Sequence, residues 1–179
     1  LIVEDNAYDP KRAVLAAQKL VNQDKVFLIA SHIGTPMNNA AMPIQFDKGV
    51  INFFPLSAGR EMYDPPNKLK FASVASYYDT MRLNVARLYK EKGAKNACVL
   101  YQDDDYGLEV VRGAEQGLKD IGVAIGEKTT YKRGATDFSS QVARMKSSGC
   151  DFLVLGTIIR ETIGSIAEAR KIGRNPTII

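Results

Sequence analysis

The chain has 179 residues, of which 45% are hydrophobic and 25% are charged, and this composition is typical of a folded globular protein and excludes disorder as a whole. Its net charge is +4, but residues 1–75 carry 8 basic and 7 acidic side chains and residues 76–179 carry 16 and 13, so neither part is a basic surface that would favour nucleic acid as a partner. Apolar runs such as residues 26–30 are far shorter than the ~20 residues that cross a bilayer.

Strands of a parallel sheet are predicted where short apolar runs alternate with amphipathic segments of helix length, as in repeated βαβ units. In chain order, the predicted strands cover residues 1–4, 26–30, 50–54, 71–74, 97–101, 124–130 and 152–156. Residues 175–179 resemble the start of another strand. Because the chain opens and closes on such segments, we expect a fold that is incomplete at both ends.

Helix boundaries are marked by capping residues. Asp9 with Pro10 predicts one helix start, and Thr35 with Pro36 predicts another of the same kind. Asp137 is predicted to cap a helix over residues 138–146. Four glycines follow predicted helices and suit the left-handed residue that ends a helix: Gly93, Gly122, Gly149 and Gly173.

The segment 55–70 is polar, rich in glycine and proline, and has no periodicity, so we predict a long surface loop that leaves the carboxyl end of a strand. The boundary between two domains is predicted after the strand at 71–74. Residues 1–75 then form one α/β domain and residues 76–179 a second.

The two cysteines, Cys98 and Cys150, fall at predicted strand positions and outside any C-x-x-C or Cys/His pattern. This placement favours buried free thiols over a disulfide. With one histidine in the chain, a zinc site has too few ligands, and we expect neither a metal nor a cofactor.

Three segments suit ligand binding, each with a structural alternative. Residues 33–36 form a strand-to-helix turn whose free N–H groups and hydroxyl favour a carboxylate, although plain helix capping explains them equally well. The small residues of the segment 57–61 let its backbone approach a ligand closely, or the segment forms a surface turn. Residues 103–107 place Tyr106 at a strand end, or form a solvated acidic loop; a calcium site there lacks the spacing of known loops.

Enzyme motifs are missing: the chain has no G-x-S-x-G elbow, no phosphate-binding loop ending in G-K-[ST], and no G-x-G-x-x-G after a strand. The residues alone therefore favour solute capture by two α/β lobes over catalysis.

The ordered set of segments resembles the type I periplasmic solute-binding proteins of ABC transporters, most closely the leucine/isoleucine/valine-binding branch. The resemblance covers essentially the whole chain, and it rests on residues 5–37, 49–51, 57–59, 105–107 and 131–156. It implies an α/β fold of two doubly wound parallel-sheet lobes, with residues 1–75 and 76–179 as parts of the first and the second.

Site residues follow from this resemblance. It implies that Thr35 binds the ligand carboxylate, that Gly59 and Glu61 are further first-lobe contacts, and that Tyr106 covers the ligand from the second lobe. Thr157 and Ile158 stand where amino-acid binders often have a tyrosine. Glu61 stands where they often have a small hydroxyl residue for the ligand ammonium, and it either accepts the ammonium or excludes it. An acidic residue that pairs with the ammonium is expected just after Ile179.

The resemblance also implies an importer component with a membrane permease as its partner, located in the periplasm or held outside the cell by a membrane anchor. The expected ligand is a branched-chain amino acid or a similar small carboxylate. Aromatic or aliphatic acids are the alternative solutes. A ligand-sensing regulator of the same fold and an α/β enzyme with catalytic residues outside this chain are the alternative functions.

Overall fold

A computed structural model describes all residues 1–179 and divides the chain into two compact units, Leu1–Ser76 and Tyr77–Ile179. Each unit contains its own parallel sheet. That the two units belong to the two lobes of a binding protein stays a prediction.

The first unit is built on a three-stranded parallel sheet with the order β1-β2-β3. Its elements are α1 (Pro10–Gln18) with a π-helical turn (Lys19–Gln23), β1 (Leu28–Ala30), α2 (Thr35–Asp47), β2 (Ile51–Phe53), a 3₁₀ turn (Arg60–Met62) and β3 (Lys70–Phe71).

The second unit is built on a four-stranded parallel sheet with the order β5-β4-β6-β7. Its elements are α3 (Tyr77–Glu91), β4 (Ala97–Gln102), α4 (Asp105–Lys119), β5 (Glu127–Tyr131), α5 (Ser139–Ser147), β6 (Phe152–Gly156), α6 (Ile159–Lys171) and β7 (Thr177–Ile178). Every strand is thus joined to the next by a helix, as the alternating pattern predicts.

The sheet of the second unit is buried on both faces, which explains the continuous apolar runs of β4 and β6. Successive residues of a strand point to opposite faces. Val99 accordingly packs in a cluster with residues of α3 and α4, whereas Leu100 packs in a second cluster with residues of α5. This arrangement confirms the doubly wound α/β class.

Helix ends mostly follow the predicted capping. The Asp9 side chain accepts a hydrogen bond from the backbone N–H of Arg12 at the start of α1, and all four glycines predicted to end helices have positive φ. At α2 the prediction was wrong: Gly34, at φ 92°, is the N-cap, and Thr35 is already helical. Asp137 accepts from the N–H of Ser139, but Phe138 occupies the N-cap of α5.

The predicted and the observed strand bounds differ most where pairing with a neighbouring strand determines where a strand begins and ends. Residues 1–4 form no strand, because an extended segment needs a neighbouring strand to pair its backbone groups. The strand predicted over 124–130 is Glu127–Tyr131, in register with β4, and that predicted over 71–74 is Lys70–Phe71. The loop 55–70 is not wholly on the surface, since Ser57 and Met62 are buried.

The expectation of free thiols was wrong, because Cys98 and Cys150 form a disulfide with their Cα atoms 5.8 Å apart. Cys98 lies in β4 and Cys150 lies just before β6, and these two strands are neighbours in the sheet. Strand adjacency, which the chain's order does not reveal, brings the two residues within disulfide range. No helix in the structure has the length and apolar content needed to span a membrane.

Candidate functional site

The first unit places two predicted binding segments at one edge of its sheet. Strands β1 and β2 run parallel, so the segments that leave their carboxyl ends emerge side by side. Ile33 forms an isolated parallel bridge with Leu56, and the backbone N–H of Gly34 donates to the Leu56 carbonyl at 3.1 Å. The start of α2 is therefore fixed against the beginning of the loop 55–70.

Thr35 stands in the first turn of α2 and is 1% exposed. Its Oγ1 lies 2.8 Å from the Oγ of Ser57, in a hydrogen bond that either hydroxyl can donate. Ser57 Oγ also accepts from the backbone N–H of Gly59 at 3.2 Å. First-turn N–H groups of a helix lack intrahelical partners, so Thr35 combines a hydroxyl with the positive end of α2, a suitable site for a carboxylate.

Gly59 and Glu61 complete this cluster in the first unit. A Cβ atom on Gly59 would lie 2.7 Å from Thr35 Cγ2 and 2.9 Å from Glu61 Oε2, so no larger residue fits there without a shift. Glu61 Oε2 is buried and has no hydrogen-bond partner. The structure thus brings Thr35, Gly59 and Glu61 together, and it adds Ser57, which the sequence analysis included in the segment 57–61 but not among the ligand contacts.

Two titratable groups lie close to the cluster. Burial lowers the pKa of Lys70, and the nearby charges of Asp64 and Glu61 oppose this effect. Lys70 Nζ donates to the carbonyl of Pro65 at 3.1 Å. Burial also lowers the pKa of His32, whose backbone carbonyl accepts from the Asn38 side chain.

In the second unit, the structure brings Tyr106 and Thr157 together. Tyr106 is in the first turn of α4 and Thr157 follows β6, and the Tyr106 hydroxyl donates to the Thr157 carbonyl at 3.1 Å. The Tyr106 ring also packs edge-on against Tyr77, with the ring centroids 5.0 Å apart. Tyr106 is therefore held as a partly buried aromatic surface at the carboxyl edge of this sheet.

Ile158 is the last of the predicted contacts. Near it in the structure are two buried polar side chains that the sequence analysis missed, those of Tyr131 and Glu161. A backbone hydrogen bond links Ile158 to the hydroxyl of Tyr131, whose pKa is raised by burial above all. Glu161, in the first turn of α6, is 0% exposed, and its Oε2 has no hydrogen-bond partner. The sequence could have indicated both residues, because Tyr131 directly follows the predicted strand 124–130 and Glu161 lies shortly after the predicted strand 152–156.

The acidic segment 103–107 has structural roles. Asp104 caps α4 by accepting from the N–H groups of Tyr106 and Gly107, and it pairs with Arg133 at 2.8 Å. Asp103 pairs with Lys132. These ion pairs and the cap account for two of the three carboxylates.

Comparison with known proteins supplies relatives along nearly the whole chain. A family model described as periplasmic binding protein matches residues 1–179. The leucine-, isoleucine-, valine-, threonine- and alanine-binding protein of Pseudomonas aeruginosa is 27% identical over 96% of this chain and 46% of its own length. The Leu/Ile/Val-binding protein of Escherichia coli is 24% identical over 97% of this chain and 47% of its own.

Solved structures agree on the fold. A possible leucine/isoleucine/valine-binding protein from Rhodopirellula baltica superposes with a TM-score of 0.91 at 19% identity, over 99% of this chain and 49% of that one. A solute-binding protein from R. palustris, in complex with 4-hydroxybenzoate, superposes with a TM-score of 0.84 at 20% identity, over 96% and 47%. The chain spans about half the length of the relatives that it matches.

Proposed function

We propose, for a chain that belongs to the periplasmic binding protein family, that its protein is the extracytoplasmic solute-binding component of an ABC importer and captures a small carboxylate. Thr35 carries this proposal: a buried hydroxyl in the first turn of α2, held by Ser57 at 2.8 Å at the N-terminus of a thirteen-residue helix. Hydroxyl and N–H donors at a helix N-terminus favour an anion.

The proposed ligand contacts are Thr35, Gly59 and Glu61 in the first unit and Tyr106, Thr157 and Ile158 in the second. They stand at the carboxyl ends of parallel strands, the edge at which open α/β sheets bind ligands. The two units act as the two lobes of the binding protein, and the proposal includes closure of these lobes on the solute, as the family resemblance implies.

The names of the relatives favour branched-chain amino acids as the ligand class, because several bind leucine, isoleucine and valine. A membrane permease is the proposed partner, and the periplasm or the outer face of the cell membrane is the proposed location. The disulfide between Cys98 and Cys150 supports such a location, because disulfides persist in oxidising compartments.

A thermal-shift screen of the protein that contains this chain tests the proposal, with amino acids, aromatic acids and short aliphatic acids as candidate ligands. A ligand that binds only the folded state stabilises it by RT ln(1 + [L]/Kd), so the melting temperature rises with the logarithm of the ligand concentration once that concentration exceeds Kd. We expect at least one small carboxylate to do so. If none shifts the transition, the protein does not capture small carboxylates; turnover of a candidate would instead favour the enzyme alternative.

A further inference from the structure

A cavity of about 290 Å³ lies at the amino edge of the sheet in the second unit. It is lined by residues 92–94 before β4, residues 150–151 before β6 and residues 173–177 around the start of β7. Because the strands are parallel, their amino ends meet at one edge, and Tyr106 and Thr157 stand at the opposite, carboxyl edge. The cavity is therefore separate from the proposed solute contacts.

The segments that form this edge are positively charged. The three that surround the cavity carry seven basic and two acidic side chains, within residues 90–96, 146–151 and 170–175. So large an excess of positive charge over three short, adjacent segments attracts anions.

Two cations of the cavity wall keep hydrogen-bond donors unused. Lys92 is exposed, and its ammonium forms neither an ion pair nor a hydrogen bond with the protein. Arg174 is partly buried, and one of its guanidinium nitrogens donates to the carbonyl of Cys150, which holds the group at the wall. Arg174 forms no ion pair, so its other guanidinium N–H groups remain available to a ligand.

The one acidic residue of the wall, Asp151, pairs with neither cation. Its Oδ1 accepts from the backbone N–H of Asn96 at 2.9 Å, and the backbone N–H of Lys95 donates to Oδ1 and Oδ2 at 3.2 and 3.0 Å. Two unpaired cations thus stand beside a single carboxylate that is already hydrogen-bonded, and the wall has a positive charge in excess.

We propose that this cavity is an anion site that binds a phosphate group through Arg174 and Lys92. The planar guanidinium presents N–H groups in the geometry of phosphate oxygens, and the ammonium adds a point charge. The cavity is many times larger than the space that one water molecule needs, so a phosphate group and the atoms attached to it fit. The phosphate belongs either to a soluble compound or to a phospholipid headgroup. The site does not depend on carboxylate capture at Thr35.

Equilibrium dialysis of the protein that contains this chain against radiolabelled inorganic phosphate and glycerol 3-phosphate tests the site. Co-sedimentation with vesicles of phosphatidylcholine and phosphatidylglycerol tests the lipid source. Lys92→Gln is the main variant, because the ammonium that it removes has no partner in the protein, and Arg174→Lys keeps the charge but removes the planar fork. The matched controls, Lys90→Gln and Arg170→Gln, remove exposed charges next to the cavity from residues that do not line it.

We expect the wild type and both controls to bind phosphate or its headgroup form with similar affinity, and Lys92→Gln to bind it about tenfold more weakly. Arg174→Lys should also weaken binding, because one ammonium replaces a bidentate group. Binding to phosphatidylglycerol vesicles, above that to pure phosphatidylcholine and with the same dependence on Lys92, would identify a headgroup as the source. Binding of the soluble phosphates alone would identify a soluble compound.

Two results overturn the inference. If neither the soluble phosphates nor the vesicles bind, the cavity is not an anion site. If Lys92→Gln binds as tightly as the wild type, or if the controls weaken binding as much as Lys92→Gln does, the phosphate is not held in the cavity. Neither result bears on solute capture, which the thermal-shift screen tests separately.

Discussion

At the scale of single residues, the hydroxyl of Thr35 is the group on which carboxylate capture depends most directly. It is 1% exposed and shares a hydrogen bond with Ser57. Thr35→Val should weaken carboxylate binding by about 1–3 kcal/mol, because a buried charged partner loses a hydrogen bond. Thr35→Ser, which keeps the hydroxyl, should retain most of the affinity. Calorimetry on both variants checks this, and a Thr35→Val protein that binds as tightly as the wild type, or more tightly than Thr35→Ser, would mean that the hydroxyl does not contact the ligand.

His32 should make the stability of the first unit dependent on pH. Asn6 Oδ1 accepts from the Tyr8 N–H, so Asn6 Nδ2 is the group that donates to His32 Nε2 at 2.9 Å. Protonation of Nε2 would set two donors face to face. Burial lowers the His32 pKa below its ordinary value of 6.5, so the unfolded chain takes up the proton more readily than the folded one.

It follows that the contribution of a neutral His32 is complete above the unfolded-state pKa and is lost as the pH falls through the lower, folded-state value. When the pH is lowered from 7.5 to about 5.5, the melting temperature should fall more for the wild type than for His32→Gln, whose glutamine does not titrate in this range. A parallel fall in both proteins would show that carboxylates alone are responsible.

At the scale of secondary-structure elements, two glycines of α4 set the distance between α3 and α4. A Cβ on Gly113 would lie 2.5 Å from the Tyr78 carbonyl oxygen, and one on Gly117 would collide with the Arg82 carbonyl. Gly117→Ala should therefore lower the free energy of unfolding by about 1–3 kcal/mol, even though alanine favours a helix by about 1 kcal/mol. Lys119→Ala, at an exposed position of α4, is the control. A Gly117→Ala protein as stable as the wild type would rule out close helix packing as the reason for the glycine.

Elements were predictable where local sequence decides them. The apolar run of β6 is buried between two helical layers, so its predicted bounds, Phe152–Gly156, were confirmed, and the glycines that end helices were recognised from their position alone. The features that were not predicted depend on contacts between residues that are distant in sequence. Residues 1–4 lack a neighbouring strand, the hydrogen bond between Ser57 and Thr35 joins residues 22 positions apart, and the complete burial of Glu161 depends on tertiary packing.

At the scale of the whole molecule, the Cys98–Cys150 disulfide joins β4 to the residues just before β6 in the second unit, across a sequence separation of 52 residues. A crosslink that closes a loop of this length stabilises a domain by about 2–4 kcal/mol, mainly by restricting the unfolded chain. Reductant should lower the denaturant midpoint of the wild type accordingly and leave a Cys98→Ala/Cys150→Ala variant unaffected. Two titratable thiols in the unreduced protein, or no effect of the reductant, would contradict the pairing.

For the whole molecule, the central proposal is that the protein captures a small molecule through its carboxylate at the start of α2. The most direct test is a calorimetric titration with the carboxylate that most raises the melting temperature and with its primary amide, which has nearly the same shape without the charge. We expect the amide to bind at least about tenfold more weakly than the acid, because a charge-assisted hydrogen bond is lost. An amide that binds as tightly as the acid would contradict it.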